Sequence, residues 1–158
     1  MKNYIVIALL FLSTLVTNAQ EKLTWHTNFE EASKIAMKEG KPLMLFFTGS
    51  DWCGWCVRLQ KEVFEHDEFV DWAEENVVLL ELDFPRRKEL PYELKQQNFN
   101  LQQLLGVRGY PTVWFANVEN QGTKKAPKLN LDKLGRMGYQ RGGSEAWIAS
   151  AEALINKK

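Results

Sequence analysis

Cysteine is scarce in this chain of 158 residues, which contains only Cys53 and Cys56, three positions apart. No other cysteine is present to join distant segments. A disulfide between neighbours so close in sequence gains little from chain entropy, because that stabilisation grows with loop length. The chain is also long enough to bury a core without a covalent staple. A purely structural disulfide is therefore disfavoured.

Net charge is lacking as well, because 20 basic and 20 acidic side chains cancel. No basic stretch is long enough to predict nucleic-acid binding. Histidine is scarce, and His26 and His66 do not complete a recognisable set of four zinc ligands with the cysteines. Val57 stands where covalent haem attachment requires a histidine after Cys56. We therefore expect no metal, no cofactor and no nucleic-acid partner.

The N-terminus differs in composition from the rest of the chain. Lys2 gives a positive start, an apolar run follows at Tyr4–Val16, and small residues lead up to Ala19. This is the three-part pattern of a secretory signal peptide, whereas a membrane span needs about 20 apolar residues. We expect residues 1–19 to be cleaved, residues 20–158 to form one domain, and the protein to be periplasmic or otherwise extracytoplasmic.

Hydrophobic periodicity predicts alternating strands and helices. Short apolar or glycine-interrupted runs predict four strands, at Leu43–Phe47, Val77–Asp83, Pro111–Phe115 and Leu131–Tyr139. Helical spacing predicts helices at Glu30–Gly40, from Cys53 to Phe64, and at Phe69–Asn76, Tyr92–Leu105 and Ser144–Ile155. A turn with its approaches is predicted at 117–130. This order predicts an α/β fold whose central sheet is flanked by helices on both faces, with the last two strands paired as a hairpin.

The two cysteines lie where a loop enters a helix. Residues at positions i and i+3 of a helix are neighbours, so one backbone can hold both the dithiol and the disulfide. The free N–H groups at a helix start stabilise a thiolate, which is the nucleophile in disulfide exchange. The spacing predicts that Cys53 attacks or is attacked, and that Cys56 resolves the mixed disulfide.

Two motifs occur together. The segment Trp52–Cys56 follows a buried strand and opens a helix, and Gly106–Thr112 opens the next strand. This pairing resembles the thioredoxin superfamily, in particular the exported thioredoxin-like and disulfide-isomerase-like proteins of bacteria. The resemblance covers residues from about 25 to 156. It implies a three-layer thioredoxin-like fold with a mixed sheet of about four or five strands.

The resemblance also implies roles around the dithiol. Pro111 matches the cis-proline beside the cysteines, and Tyr110 would face an incoming substrate chain. Trp52 matches a residue that packs beside the first cysteine. Gly54 and Trp55 separate the cysteines, and Trp55 stands where thioredoxin has proline. It either offers an apolar contact to unfolded substrates or shields sulfur from solvent.

The family's usual buried acid is missing from its expected place. Thioredoxins carry an aspartate six residues before the first cysteine, often with a lysine on the adjacent strand. Phe47 and Leu79 occupy the matching positions. Glu81, Asp83 and Arg58 are close in sequence, but composition favours solvated positions for all three.

These observations predict an exported thiol–disulfide oxidoreductase that acts on cysteine-containing proteins through Cys53 and Cys56. By analogy we expect a reductase or isomerase kept reduced by a membrane redox partner. A net oxidant and a non-catalytic binding module on the same scaffold remain as alternatives. A monomer is expected, because no dimerisation segment is visible between Gln20 and the start of the domain.

Overall fold

A computed structural model describes residues 23–123, 126 and 128–156, so the predicted leader at 1–19 lies outside the described residues. Five strands form one sheet in the order β1–β3–β2–β4–β5. They are β1 Trp25–His26, β2 Leu43–Thr48, β3 Val78–Asp83, β4 Thr112–Asn120 and β5 Leu129–Met137. β1, β3 and β2 run parallel, whereas β4 is antiparallel to both β2 and β5. The predicted mixed sheet and the terminal hairpin are confirmed.

Helices cover both faces of the sheet. They are α1 Phe29–Glu39, α2 Gly54–Leu59, α3 Asp67–Asn76, α4 Tyr92–Leu104 and α5 Gly143–Ile155. α2 continues directly into a π-helical turn at Gln60–Phe64. α1 and α4 pack on one face, and α2, α3 and α5 pack on the other. The predicted three-layer α/β fold is confirmed.

The central position of β2 in the sheet explains why its sequence is apolar. All six of its residues are buried, because both faces of the strand are covered by helices. Successive side chains point to opposite faces, so Met44 and Phe46 join the core beneath α2, α3 and α5. Leu45 and Phe47 join the core beneath α1 and α4. The continuous apolar run is therefore the signature of a strand between two cores.

The hairpin differs from the prediction. β4 and β5 remain paired as far as Asn120 and Leu129, where the sequence predicted a turn with its approaches. Glu119 and Asn120 at the end of β4 are polar and exposed, so ladder hydrogen bonds rather than burial hold the end of the hairpin. The predicted irregularity in the last strand is confirmed as a register shift opposite Gly135. A Cβ at Gly135 would lie 2.7 Å from Leu154 Cδ2, so glycine allows α5 to approach.

Strand β1 was missed, because two residues are too few to show any periodicity. It pairs with β3, and Trp25 extends the aromatic core by contacting Phe46 and Phe64. None of the helices in the described part of the chain combines the length and apolarity needed to cross a bilayer.

Candidate active site

The dithiol lies at the N-terminus of α2, as predicted. Cys53 is the N-cap residue, with an extended backbone, and the Cys56 amide donates to Cys53 Sγ at 3.2 Å. The two cysteines form a disulfide with their Cα atoms 5.2 Å apart. Cys53 retains 6% of its surface exposed, whereas Cys56 is fully buried. The two cysteines therefore differ in access: of the pair, only Cys53 has contact with solvent.

The helix start favours a negative charge on Cys53. The first N–H groups of α2 lack partners within the helix, and the dipole is positive at this end. The first turn of α2 contains no acidic residue that would oppose a thiolate. An opened disulfide would therefore release a stabilised Cys53 thiolate beside the donating Cys56 amide.

Apolar core residues pack beneath the disulfide. Both cysteines belong to the core beneath α2, α3 and α5, which includes Phe46 and Leu79. Phe47, which the family spacing matched to the buried acid, points into the opposite core. That positional match is wrong, because neighbouring residues of a strand face opposite sides of the sheet. Phe46 occupies the dithiol side, and it is equally apolar.

Two carboxylates of β3 lie close to these apolar core residues. Glu81 is the cross-strand partner of Phe46 and is half-buried. Burial raises the pKa of Glu81, the neighbouring Asp83 raises it further, and Lys88 opposes the shift. Asp83 is only 9% exposed. The prediction of freely solvated positions is therefore wrong for both carboxylates, whereas the Arg58 side chain is indeed 54% exposed.

Hydrogen bonds tie the loop before the dithiol to the end of β3. Ser50 donates from its amide and its hydroxyl to the Asp83 carboxylate, at 2.8 and 2.6 Å. Asp51 accepts from the amides of Arg86 and Arg87 at 2.9 and 2.7 Å. The Arg86 hydrogen bond is the main reason why the pKa of Asp51 is lowered. The segment entering Cys53 is thus held by a neighbouring loop.

Trp52 lies in a layered arrangement beside Cys53. Its Nε1 donates to the Phe84 carbonyl at 2.8 Å, and the Arg86 guanidinium lies 3.8 Å from its ring centroid. The Tyr110 ring packs edge-on at 5.7 Å. A Cβ at Gly49 would come within 2.7 Å of three Trp52 ring atoms, so glycine is needed there for this placement.

The second motif meets the first at this point. The Tyr110–Pro111 peptide bond is cis, and β4 begins at the next residue. Gln102 donates to the Tyr110 hydroxyl at 2.7 Å. Burial raises the pKa of Tyr110, while this hydrogen bond opposes the shift. Tyr110 therefore links the dithiol loop to α4.

Trp55 lies in a separate cluster and is 53% exposed. Its ring is 5.1 Å from Tyr139, and the Arg58 guanidinium lies over both rings at 5.4 and 5.5 Å. Glu62 accepts from Arg58 and from the Tyr139 hydroxyl, each at 2.6 Å. These hydrogen bonds lower the pKa of Glu62. The spacing of Arg58 and Glu62 in the sequence could have predicted that they pair. Tyr139 follows β5 in the chain, and no local pattern indicated that it would join them.

Gly54 is the first residue of α2, and a Cβ at this position would meet no atom within 4 Å.

Of the predicted site residues, the structure brings Trp52, Tyr110 and Pro111 together in one arrangement. It places Trp55 in a different one.

Comparison with known proteins agrees with this geometry. A family model described as a thioredoxin-like domain matches residues 29–127, well over half of the chain. The chain belongs to the thioredoxin-like family. The resemblance inferred from the two motifs is thereby confirmed.

Two bacterial relatives of this thioredoxin-like chain come from Chlamydia pneumoniae. Disulfide bond reductase DsbH is 31% identical over 137 residues, which are 87% of this chain and 75% of the relative. Thioredoxin-related protein DsbJ is 24% identical over 87% of this chain, but the match spans only 38% of DsbJ. A solved structure of DsbH oxidoreductase superposes with a TM-score of 0.74 at 30% identity, covering 87% of each chain.

Proposed function

We propose that this chain is an exported thiol–disulfide oxidoreductase that reduces or isomerises disulfides of cysteine-containing proteins. The observation that carries the proposal is the asymmetry of the dithiol. Cys53 caps α2 and retains access to solvent, while Cys56 is fully buried behind it. A substrate sulfur can therefore reach Cys53, and the buried Cys56 is held in place to resolve the mixed disulfide.

The exchange begins when the Cys53 thiolate attacks a substrate disulfide. One substrate sulfur joins Cys53 and the other leaves as a thiolate, which takes a proton from water. Cys56 then loses its proton and attacks Cys53 Sγ, which releases the second substrate thiol and regenerates the Cys53–Cys56 disulfide. The substrate gains the two electrons that the dithiol loses, and a separate reductant must restore the dithiol.

Side chains around the dithiol receive supporting roles. Pro111 has no N–H, so the cis turn leaves neighbouring backbone groups free to pair with an extended substrate. Tyr110 and Trp52 form the wall beside Cys53, and Gly54 leaves open space at the helix start. The exposed Trp55 ring offers an apolar contact to a substrate.

Direction, partners and location belong to the same proposal. The reductive direction is favoured by the similarity to a protein named disulfide bond reductase. The signal-like pattern at residues 1–19, ahead of a single domain at 20–158, supports a periplasmic or otherwise extracytoplasmic location. A membrane redox partner would return electrons to the dithiol, and the protein would work as a monomer.

Cysteine variants test the proposal. Cys56→Ser should retain substrates as mixed disulfides through Cys53, while Cys53→Ser, the matched control, should retain none. The wild-type protein should speed insulin reduction by dithiothreitol, and both variants should lose this activity. Recovery of no mixed disulfide from Cys56→Ser, or no activity of the wild type on insulin and on a scrambled protein, would show a binding scaffold with an inert disulfide instead.

A further inference from the structure

We propose that a groove between the loop after β3 and α4 binds an apolar side chain of the polypeptide substrate near its reacting cysteine. This inference rests on the proposed function and adds a substrate class to it. The groove has a volume of about 430 Å³. Its lining includes Phe84, Pro85, Leu90, Tyr92, Phe99 and Gln102, and the groove between them is called the α4 groove.

Large aromatic side chains are left exposed at the α4 groove. Tyr92 is 73% exposed and Phe99 is 52% exposed. They are seven positions apart on α4, which places them on the same side of the helix, about two turns from each other. Leu104 on the same helix is also 58% exposed but does not line the groove. Clustered exposed apolar surface beside a concave wall is typical of an interaction site.

The α4 groove is continuous with the dithiol. Trp52, next to Cys53, contacts Tyr110 with ring centroids 5.7 Å apart, and Tyr110 contacts Phe84 at 5.2 Å. Trp52 is also hydrogen-bonded to the Phe84 carbonyl, and Gln102 of the groove is bonded to Tyr110. Extended chain covers about 3.3 Å per residue, so roughly three residues span these two ring-to-ring steps.

The chemistry of the lining selects an apolar occupant. Lys95 at the groove is paired with Glu89 at 2.7 Å, and the Asp83 carboxylate already accepts two hydrogen bonds from Ser50. These charges are satisfied within the chain, whereas Phe84, Tyr92 and Phe99 present rings. A phenylalanine or leucine about three residues from the substrate cysteine fits this surface.

Matched peptides and variants test the inference. One peptide carries a cysteine, blocked as a disulfide with a small thiol, and phenylalanines three residues to either side of it. The control peptide has serines in place of the phenylalanines. The wild type should show about tenfold higher kcat/KM for the phenylalanine peptide, the size of discrimination a simple apolar contact provides. Phe99→Ser should abolish this preference, and Leu104→Ser should preserve it.

Two further measurements separate this inference from the proposed function. All three proteins should react equally with a small-molecule disulfide, and failure of the wild type there would overturn the proposed function. A serine-for-cysteine version of the phenylalanine peptide should bind the wild type more tightly than Phe99→Ser, whether or not exchange occurs. Equal binding, or an unchanged preference in Phe99→Ser, would overturn the groove inference. Self-association of the wild type that Phe99→Ser abolishes would also overturn it, because a second copy would then occupy the groove.

Discussion

The Ser50 hydroxyl should contribute measurably to stability, because it donates at 2.6 Å to the carboxylate of Asp83, a residue that is only 9% exposed. Ser50→Ala removes this charged hydrogen bond but keeps the amide bond to the other Asp83 oxygen. A hydrogen bond to a charged group contributes about 1.5–3 kcal/mol, so we expect a loss of that size. For a domain of this length the melting temperature should fall by roughly 5–10 °C.

Denaturant unfolding of the oxidised protein measures this loss, with Ser33→Ala as the control. Ser33 Oγ is buried in α1 and has no hydrogen-bond partner among the described residues, so removing it should cost little. In an Asp83→Asn background Ser50→Ala should cost less, giving a coupling energy of about 1 kcal/mol or more. Equal costs for the two serine substitutions, or no coupling, would refute the argument that this bond holds the dithiol loop.

Two other comparisons test the surroundings of the dithiol. Burial raises the pKa of Glu81 above its unfolded value, so the folded state holds the proton more tightly and stability is lost as pH rises from the unfolded to the folded pKa. The urea midpoint at pH 7 minus the midpoint at pH 4 should therefore be larger for Glu81→Gln than for the wild type. The same difference in both proteins would contradict this. Gly49→Ala should displace the Trp52 ring, with loss of a hydrogen bond of about 1 kcal/mol and slower insulin reduction, whereas Gly54→Ala should fold with unchanged stability. Similar unfolding midpoints for the two alanine variants would show that Trp52 is not fixed by this close contact.

Local patterns in the sequence were sufficient to predict most of the fold. The run Leu43–Phe47 predicted a central strand, because a strand covered on both faces is apolar throughout. The outer end of β4 was missed, because cross-strand hydrogen bonds hold polar residues there and leave no hydrophobic pattern. The short strand β1 was missed for a similar reason, since its pairing with β3 is a long-range contact.

The candidate site was predictable only in part. The position of the cysteines at a helix start follows from local spacing, and it is confirmed. The face on which Phe47 points could not be derived by counting back from the cysteine, because the count crosses an irregular loop. The contacts of Trp55 with Tyr139, and of Trp52 with Tyr110, join segments far apart in the chain. Only the folded sheet brings these side chains together.

The redox equilibrium of Cys53 and Cys56 tests the central claim most directly. The protein would be equilibrated in glutathione and dithiothreitol buffers of known potential, and its thiols would then be trapped and counted. The account predicts a single two-electron transition, in which both thiols appear together, between about −270 and −120 mV. A disulfide that stays fully oxidised at about −300 mV would behave as a structural disulfide and would contradict the account.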